Sequence, residues 1–125
     1  MPHDYDDQNI FAKILRGEIP NHTILETEHA LAFRDINPQA PHHVLVIPKG
    51  PYVSYDHFAN DASDAEIVDF TRAVGQVAQA AGLSLGDGGD GYRLISNTGT
   101  SGVQDVPHLH VHILGGRVLG PMLAR

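Results

Sequence analysis

A chain of 125 residues has room for one domain with a single real core. Its formal net charge of -7 argues against indiscriminate binding to nucleic acid or anionic membrane, because phosphate backbones attract basic surfaces, yet leaves room for a nucleotide in a local pocket. The chain contains no cysteine, which excludes disulfides, a thiolate zinc site and a cysteine nucleophile.

Residues 1–8 are polar and are expected to be disordered. The acidic N-terminal segment lacks the charged-then-apolar build of a secretory signal, and no stretch approaches the ~18 apolar residues of a membrane span, so the expected location is the cytoplasm. From Asn9 as cap, Ile10, Phe11, Ile14 and Leu15 fall at helical spacing, and Gly17 with Pro20 ends a short helix. Strands follow around 22–26 and 29–34, then a turn stiffened by Pro38 and Pro41, then a strand from His43 to Ile47 stopped by Pro48. A long helix capped by Asp61 or Ser63 carries Ile67, Phe70, Val74, Val77, Ala78 and Ala81 on one face and ends at Gly82. A glycine-rich turn leads into a strand over Tyr92–Ser96, and the loop TGTSGVQD delivers the chain to VPHLHVHILGG. Antiparallel strands with one long helix and a short N-terminal helix define an α+β fold. The apolar tail, with Val118, Leu119, Met122 and Leu123, is expected to dock on its own subunit or on a partner.

In VPHLHVHILGG, His108, His110 and His112 alternate with Leu109, Val111 and Ile113. Alternation is the period of a strand, so the imidazoles share one face and the apolar row packs into the core. Imidazoles gathered in this way suit proton transfer, nucleophilic attack or metal ligation. The central His110 is the natural nucleophile, since a neutral imidazole nitrogen attacks phosphorus well once its other nitrogen is fixed by an acceptor such as a backbone carbonyl. A zinc site is the competing reading, with His42–His43 able to add a ligand. His43 can close on a phosphate from the neighbouring strand, whereas His3, His22, His29, His42 and His57 read as surface residues. Gly99 and Gly102 let the loop before the triad turn tightly, and its amides could cradle an anion. Asn97 could bond a ligand or cap the turn. Asp35 could cap its turn or grip sugar hydroxyls, as acidic residues do on ribose in dinucleotide folds. Ile10, Phe11, Ile14 and Phe33 read as core and could also wall a slot for a flat base.

HLHVHIL resembles the histidine-triad pattern His-φ-His-φ-His-φ-φ, with φ apolar, and the following GGR is similar to the Hint branch of that family. IFAKILRGEIP and FRDINPQAPHHVLVIPK resemble the same branch in the same order, so the likeness spans roughly residues 9–117 as a domain, with 118–125 as a tail. The resemblance implies a homodimer with one antiparallel sheet continued across two subunits and a purine nucleotide pocket in each. It implies hydrolysis of nucleoside phosphoramidates, releasing an amine and AMP or GMP, with no metal and no cofactor. On this chain His110 would form a nucleotidyl-histidine intermediate, with His108 beside it on the triad. His112 and His43 would hold phosphate oxygens and handle the leaving-group proton. Asp35 and the backbone at Ile36 would bind the ribose, Asn97 and the Gln104 region would line the phosphate and leaving group, and Ile10, Phe11, Ile14 and Phe33 would enclose the base. Three departures stand out: Val103 and Asp105 replace the glycine and serine of many Hint proteins, and the tail has no tryptophan. The alternatives are a dinucleoside polyphosphate hydrolase of the Fhit-like branch, against which GGR argues, and a nucleotide-binding scaffold whose hydrolysis is vestigial.

Overall fold

The computed structural model describes residues 3–124. Helix α1 (Ile10–Leu15) opens where the Asn9 side chain accepts from the Ala12 amide, the cap expected from the sequence. Strands β1 (Thr23–Glu26), β2 (Ala30–Arg34) and β3 (His42–Pro48) follow as an antiparallel meander. Helix α2 (Tyr55–Asp61) precedes the long helix α3 (Asp64–Ala80), and strands β4 (Tyr92–Ile95) and β5 (Val111–Gly115) complete the chain. The five strands form one sheet in the order β1-β2-β3-β5-β4, with β5 antiparallel to both neighbours. The architecture is the expected α+β arrangement.

Of the two candidate caps for the long helix, Ser63 is the one used. It forms a reciprocal capping box with Glu66, satisfying two otherwise orphaned amides. The periodic face of α3 buries Phe70, Val74, Val77 and Ala78 against Val44, Val46, Val111 and Ile113 on one side of the sheet. Helix α1 covers only part of the other side, where Phe11 and Ile14 pack on Leu31, Phe33, Leu45 and Ile47. With both faces of β3 in use, all its residues after His42 are buried. The histidines stand on the rest of that second face, beside Phe11.

Two expectations need correction, one on the histidine strand and one on the first residues, and one helix is new. Helix α2 is not evident in the sequence: it is a two-turn element with one buried side chain, Phe58, and no side-chain cap. The histidine strand is shorter than its alternation suggests. Ladder pairing begins at Val111, while the segment ahead of it is held by a Leu109 amide bond to the Tyr52 carbonyl at 2.8 Å. Residues 1 and 2 lie outside the described residues, but residues 3–8 are packed rather than disordered. The Asn9 amide group donates to the Asp6 carbonyl at 2.7 Å, Arg16 donates to the Asp7 carbonyl at 2.7 Å, and the His3 ring stacks on His57 with centroids 4.4 Å apart. In the described tail Leu119 is half-buried. Arg93 donates to the Gly120 and Pro121 carbonyls, while Val118, Met122 and Leu123 stay exposed on this chain.

Candidate active site

The antiparallel register of β3 and β5 sets His43 opposite Leu114 and Leu45 opposite His112, so His43 and His112 stand diagonally on one face. His110 and His108 continue that face ahead of the ladder. His110 is buried, with its ring edge-on to Phe11 at 5.0 Å and to His112 at 5.1 Å. Its Nδ1 lies 2.8 Å from the carbonyl oxygen of His108. A carbonyl only accepts, so Nδ1 carries the proton and Nε2 presents a lone pair. The alternation in the sequence therefore delivers both the candidate nucleophile and, two residues earlier, the acceptor that fixes its tautomer.

A second chain of hydrogen bonds fixes the neighbours. The Gln39 amide donates to His43 Nδ1 at 3.1 Å, which leaves the His43 proton on Nε2 and directs it to His112 Nδ1 at 2.9 Å. His112 then carries its own proton on Nε2, a donor available to an anion. Burial pushes His112 down to about 4, with the positive forms of His110 and His43 adding to the shift. Burial also lowers His43, opposed by the Asp35 carboxylate, whose Oδ2 is 3.4 Å away. His108 is fully buried and is likewise pushed down to about 4 by desolvation. These imidazoles are neutral at pH 7, and their N–H groups serve as dipolar donors rather than as charges.

Asp35 makes the turn, with Oδ1 accepting the Asn37 amide at 2.8 Å, while Oδ2 faces His43. Ile36 follows it and is exposed. Phe11, Ile14 and Phe33 are buried beside the histidine face, and Ile10 is 44% exposed at its edge. Asn97 is half-buried beyond the end of β4. Asp105 brings Oδ1 to 3.7 Å from His110 Nε2 although its side chain is 81% exposed.

In the loop before the triad, four backbone amides are bonded within the loop and are not offered to an anion. Gly102, Val103 and Gln104 donate to Thr98, Thr100 and Gly99 carbonyls, and Gly99 donates to the Gln104 side chain. Gln104 spends its side-chain amide on the Val53 and Val106 carbonyls at 2.7 and 3.0 Å, so it shapes the loop. Val103 is the non-glycine residue with positive φ, at 56°. Tyr5 joins the site without having been expected there, its hydroxyl 2.6 Å from His108 Nδ1. Its one available signal was an aromatic residue in an otherwise polar segment.

Two groups among the described residues bring His and Asp ligand atoms within 4.8 Å of one another: Asp35, His43 and His112, and His3, His57 and Asp61. In each, a backbone amide holds an imidazole Nδ1 (Gln39 on His43, Val53 on His57), which places the proton on the Nε2 that faces the carboxylate. A cation there would displace that proton and break the amide bond, so neither donor set fits a resident metal.

Comparison with known proteins is consistent with this geometry. The family model of the HIT domain matches residues 16–119. The chain belongs to the HIT domain family. It is 43% identical over 118 residues to the purine nucleoside phosphoramidase of Escherichia coli strain K12, a match covering 94% of this chain and 95% of that one. It is 45% identical over 113 residues to the 14 kDa zinc-binding protein of Zea mays, covering 90% of this chain and 84% of that one. Among solved structures it resembles a HIT family hydrolase from Clostridium thermocellum, with a TM-score of 0.83, 37% identity, and coverage of 95% of this chain and 99% of that one.

Proposed function

We propose that this HIT protein hydrolyses purine nucleoside phosphoramidates through a nucleotidyl-histidine intermediate. The observation that carries the reading is His110, whose Nδ1 proton is committed to the His108 carbonyl and whose Nε2 lone pair stands 3.7 Å from the largely exposed Asp105 carboxylate. The likeness to the E. coli phosphoramidase supplies the substrate class. In the reaction, His110 Nε2 attacks the α-phosphorus and the P–N bond breaks with its electron pair on nitrogen, which takes up a proton as the amine departs. Water then attacks phosphorus, its oxygen forms the new P–O bond, its proton passes to solvent, and the P–Nε2 bond returns its pair to the ring. The His112 Nε2–H, backed by His43, would hold a phosphate oxygen throughout. Asp35, the backbone at Ile36 and Asn97 would position the ribose and phosphate, while Phe11, Ile14, Phe33 and Ile10 would flank the base.

The test is turnover of an AMP–amine conjugate beside diadenosine polyphosphate. The conjugate is expected to be the better substrate, with His110→Gly losing about three orders of magnitude or more while AMP binding by calorimetry persists. Preference for the polyphosphate would favour the Fhit-like reading, and near-normal turnover by His110→Gly would remove the nucleophile assignment. Treatment with a chelator is expected to leave activity intact. Loss on chelation and recovery with zinc would make the protein a metallohydrolase, in line with the name of the maize relative.

A further inference from the structure

We propose that Tyr5, on the segment ahead of α1, is a positioning residue for His110 and acts through His108. His108 Nε2 lies 2.8 Å from the Pro48 carbonyl, so it carries the proton of the neutral ring, and Nδ1 keeps a lone pair. The Tyr5 hydroxyl at 2.6 Å is therefore the donor to that lone pair. The two bonds satisfy both ring nitrogens of an imidazole with no access to water, and they leave its orientation and tautomer no freedom. The backbone of the same residue supplies the carbonyl that receives the His110 Nδ1 proton, so whatever fixes His108 also fixes the lone pair of His110.

The segment is built to hold Tyr5 in place. Asn9 and Arg16 bind the Asp6 and Asp7 carbonyls on its C-terminal side, and His3, stacked on His57 and 3.3 Å from Asp56, pins its N-terminal side. Without the hydroxyl, His108 Nδ1 becomes a buried acceptor without a donor. The ring is then free to exchange its proton between nitrogens and to turn away from Pro48. That movement disturbs the carbonyl beneath His110. The titratable and charged groups around this pair are His110 on the triad and Asp6, Asp7 and Arg16 around Tyr5, with the Phe11 ring as the neutral wall.

The activity arm of this inference rests on the proposed function, so the experiment joins it to one that does not. Tyr5→Phe retains the ring packed edge-on to His108 and removes only the hydroxyl. Histidine tautomers of both proteins, without substrate, are read by two-bond proton–nitrogen NMR, and kcat and KM by turnover of the AMP–amine conjugate. In the native protein His108 is expected as the Nε2–H tautomer and His110 as the Nδ1–H tautomer. In the variant, His108 loses its hydrogen-bonded Nδ1 signature, His110 becomes a mixture, and kcat falls about tenfold with KM within about twofold, the loss of one buried hydrogen bond felt at the reacting atom. A His110 spectrum unchanged by the substitution overturns the proposal, as does an altered spectrum with unchanged kcat. A native protein that turns over no conjugate overturns the proposed function, and the His110 tautomer alone then decides the role of Tyr5.

Discussion

At the scale of single residues, the site is governed by where protons are held. Four imidazoles receive a donor on one nitrogen or give to a carbonyl, and this decides which nitrogen keeps a lone pair. Burial makes His108 and His112 acid-sensitive. In the unfolded chain His108 and His112 take up protons near pH 6.5, whereas in the folded chain they do so only near 4. Between these values the unfolded state binds more protons, so stability is complete above about pH 6.5 and falls as pH drops toward 4. His108, the more deeply buried, accounts for a loss of about 3 kcal/mol across that window. Thermal unfolding between pH 7 and 4 is expected to show a steadily falling midpoint, and His108→Gln, once matched for stability at pH 7, a shallower fall. Equal slopes would show that other groups control acid unfolding. Asp105 is expected to act on the substrate instead. Its carboxylate lies near His110 Nε2 yet is mostly in water, so its attraction for a cationic leaving amine is limited to about 1 kcal/mol, or up to about fivefold in specificity. Asp105→Ser is expected to narrow the preference for basic over anionic leaving groups mainly through kcat/KM, measured at low salt. An unchanged preference would assign Asp105 to the turn alone.

At the scale of elements, the loop before β5 carries a local conflict between side chain and backbone. A β-branched residue at a φ of 56° is strained, at a cost of about 1–3 kcal/mol, and Val103 is held there by the amide bonds on either side of it and by Gln104. Val103→Gly removes the strain and costs about 0.5–1 kcal/mol of chain entropy, so the variant is expected to be more stable by about 1 kcal/mol in equilibrium unfolding. A less stable variant would place the source of the loop's shape in valine packing. The departure itself was legible in the sequence, because valine stands where related proteins carry glycine. So were α1, α3 and β1–β3, whose caps and periodic faces coincide with their burial, and so was the shared face of the imidazoles. Helix α2 was not legible, since one buried phenylalanine sets no period. Nor was the packing of residues 3–8, because it depends on Tyr5 reaching a nitrogen 103 positions away. The inward turn of the loop amides was likewise hidden, since glycines at 99 and 102 allow either direction and only the tertiary bonds of Gln104 decide it.

At the scale of the whole molecule, the two edges of the sheet differ in kind. Strand β1 is short and carries Glu26, paired with Lys49 at 2.8 Å, the sort of charged edge that discourages further pairing. Strand β4 exposes Tyr92, Leu94 and Ile95, and beside it Tyr55, Val74, Leu94 and Ser96 line an open groove. The Ser96 hydroxyl is buried there and has no hydrogen-bond partner among the described residues. The backbone of the tail is bonded to Arg93 of the same strand through the Gly120 and Pro121 carbonyls. Exposed apolar surface on an unpaired edge is the condition under which a second copy can extend the sheet, with each subunit presenting the same strand to the other. The protein is therefore expected to be a dimer paired through β4, as the resemblance to the Hint branch implied. Light scattering at micromolar concentration should give twice the chain mass, and Leu94→Glu, which sets like charges against each other across such an interface, should give the monomer with its far-ultraviolet spectrum intact. A native monomer would refute the dimer, while a Leu94→Glu dimer would move the interface away from β4. A dimer that dissociates on Leu94→Glu but not on removal of residues 118–125 would assign the association to the strand and leave the tail free for a separate task.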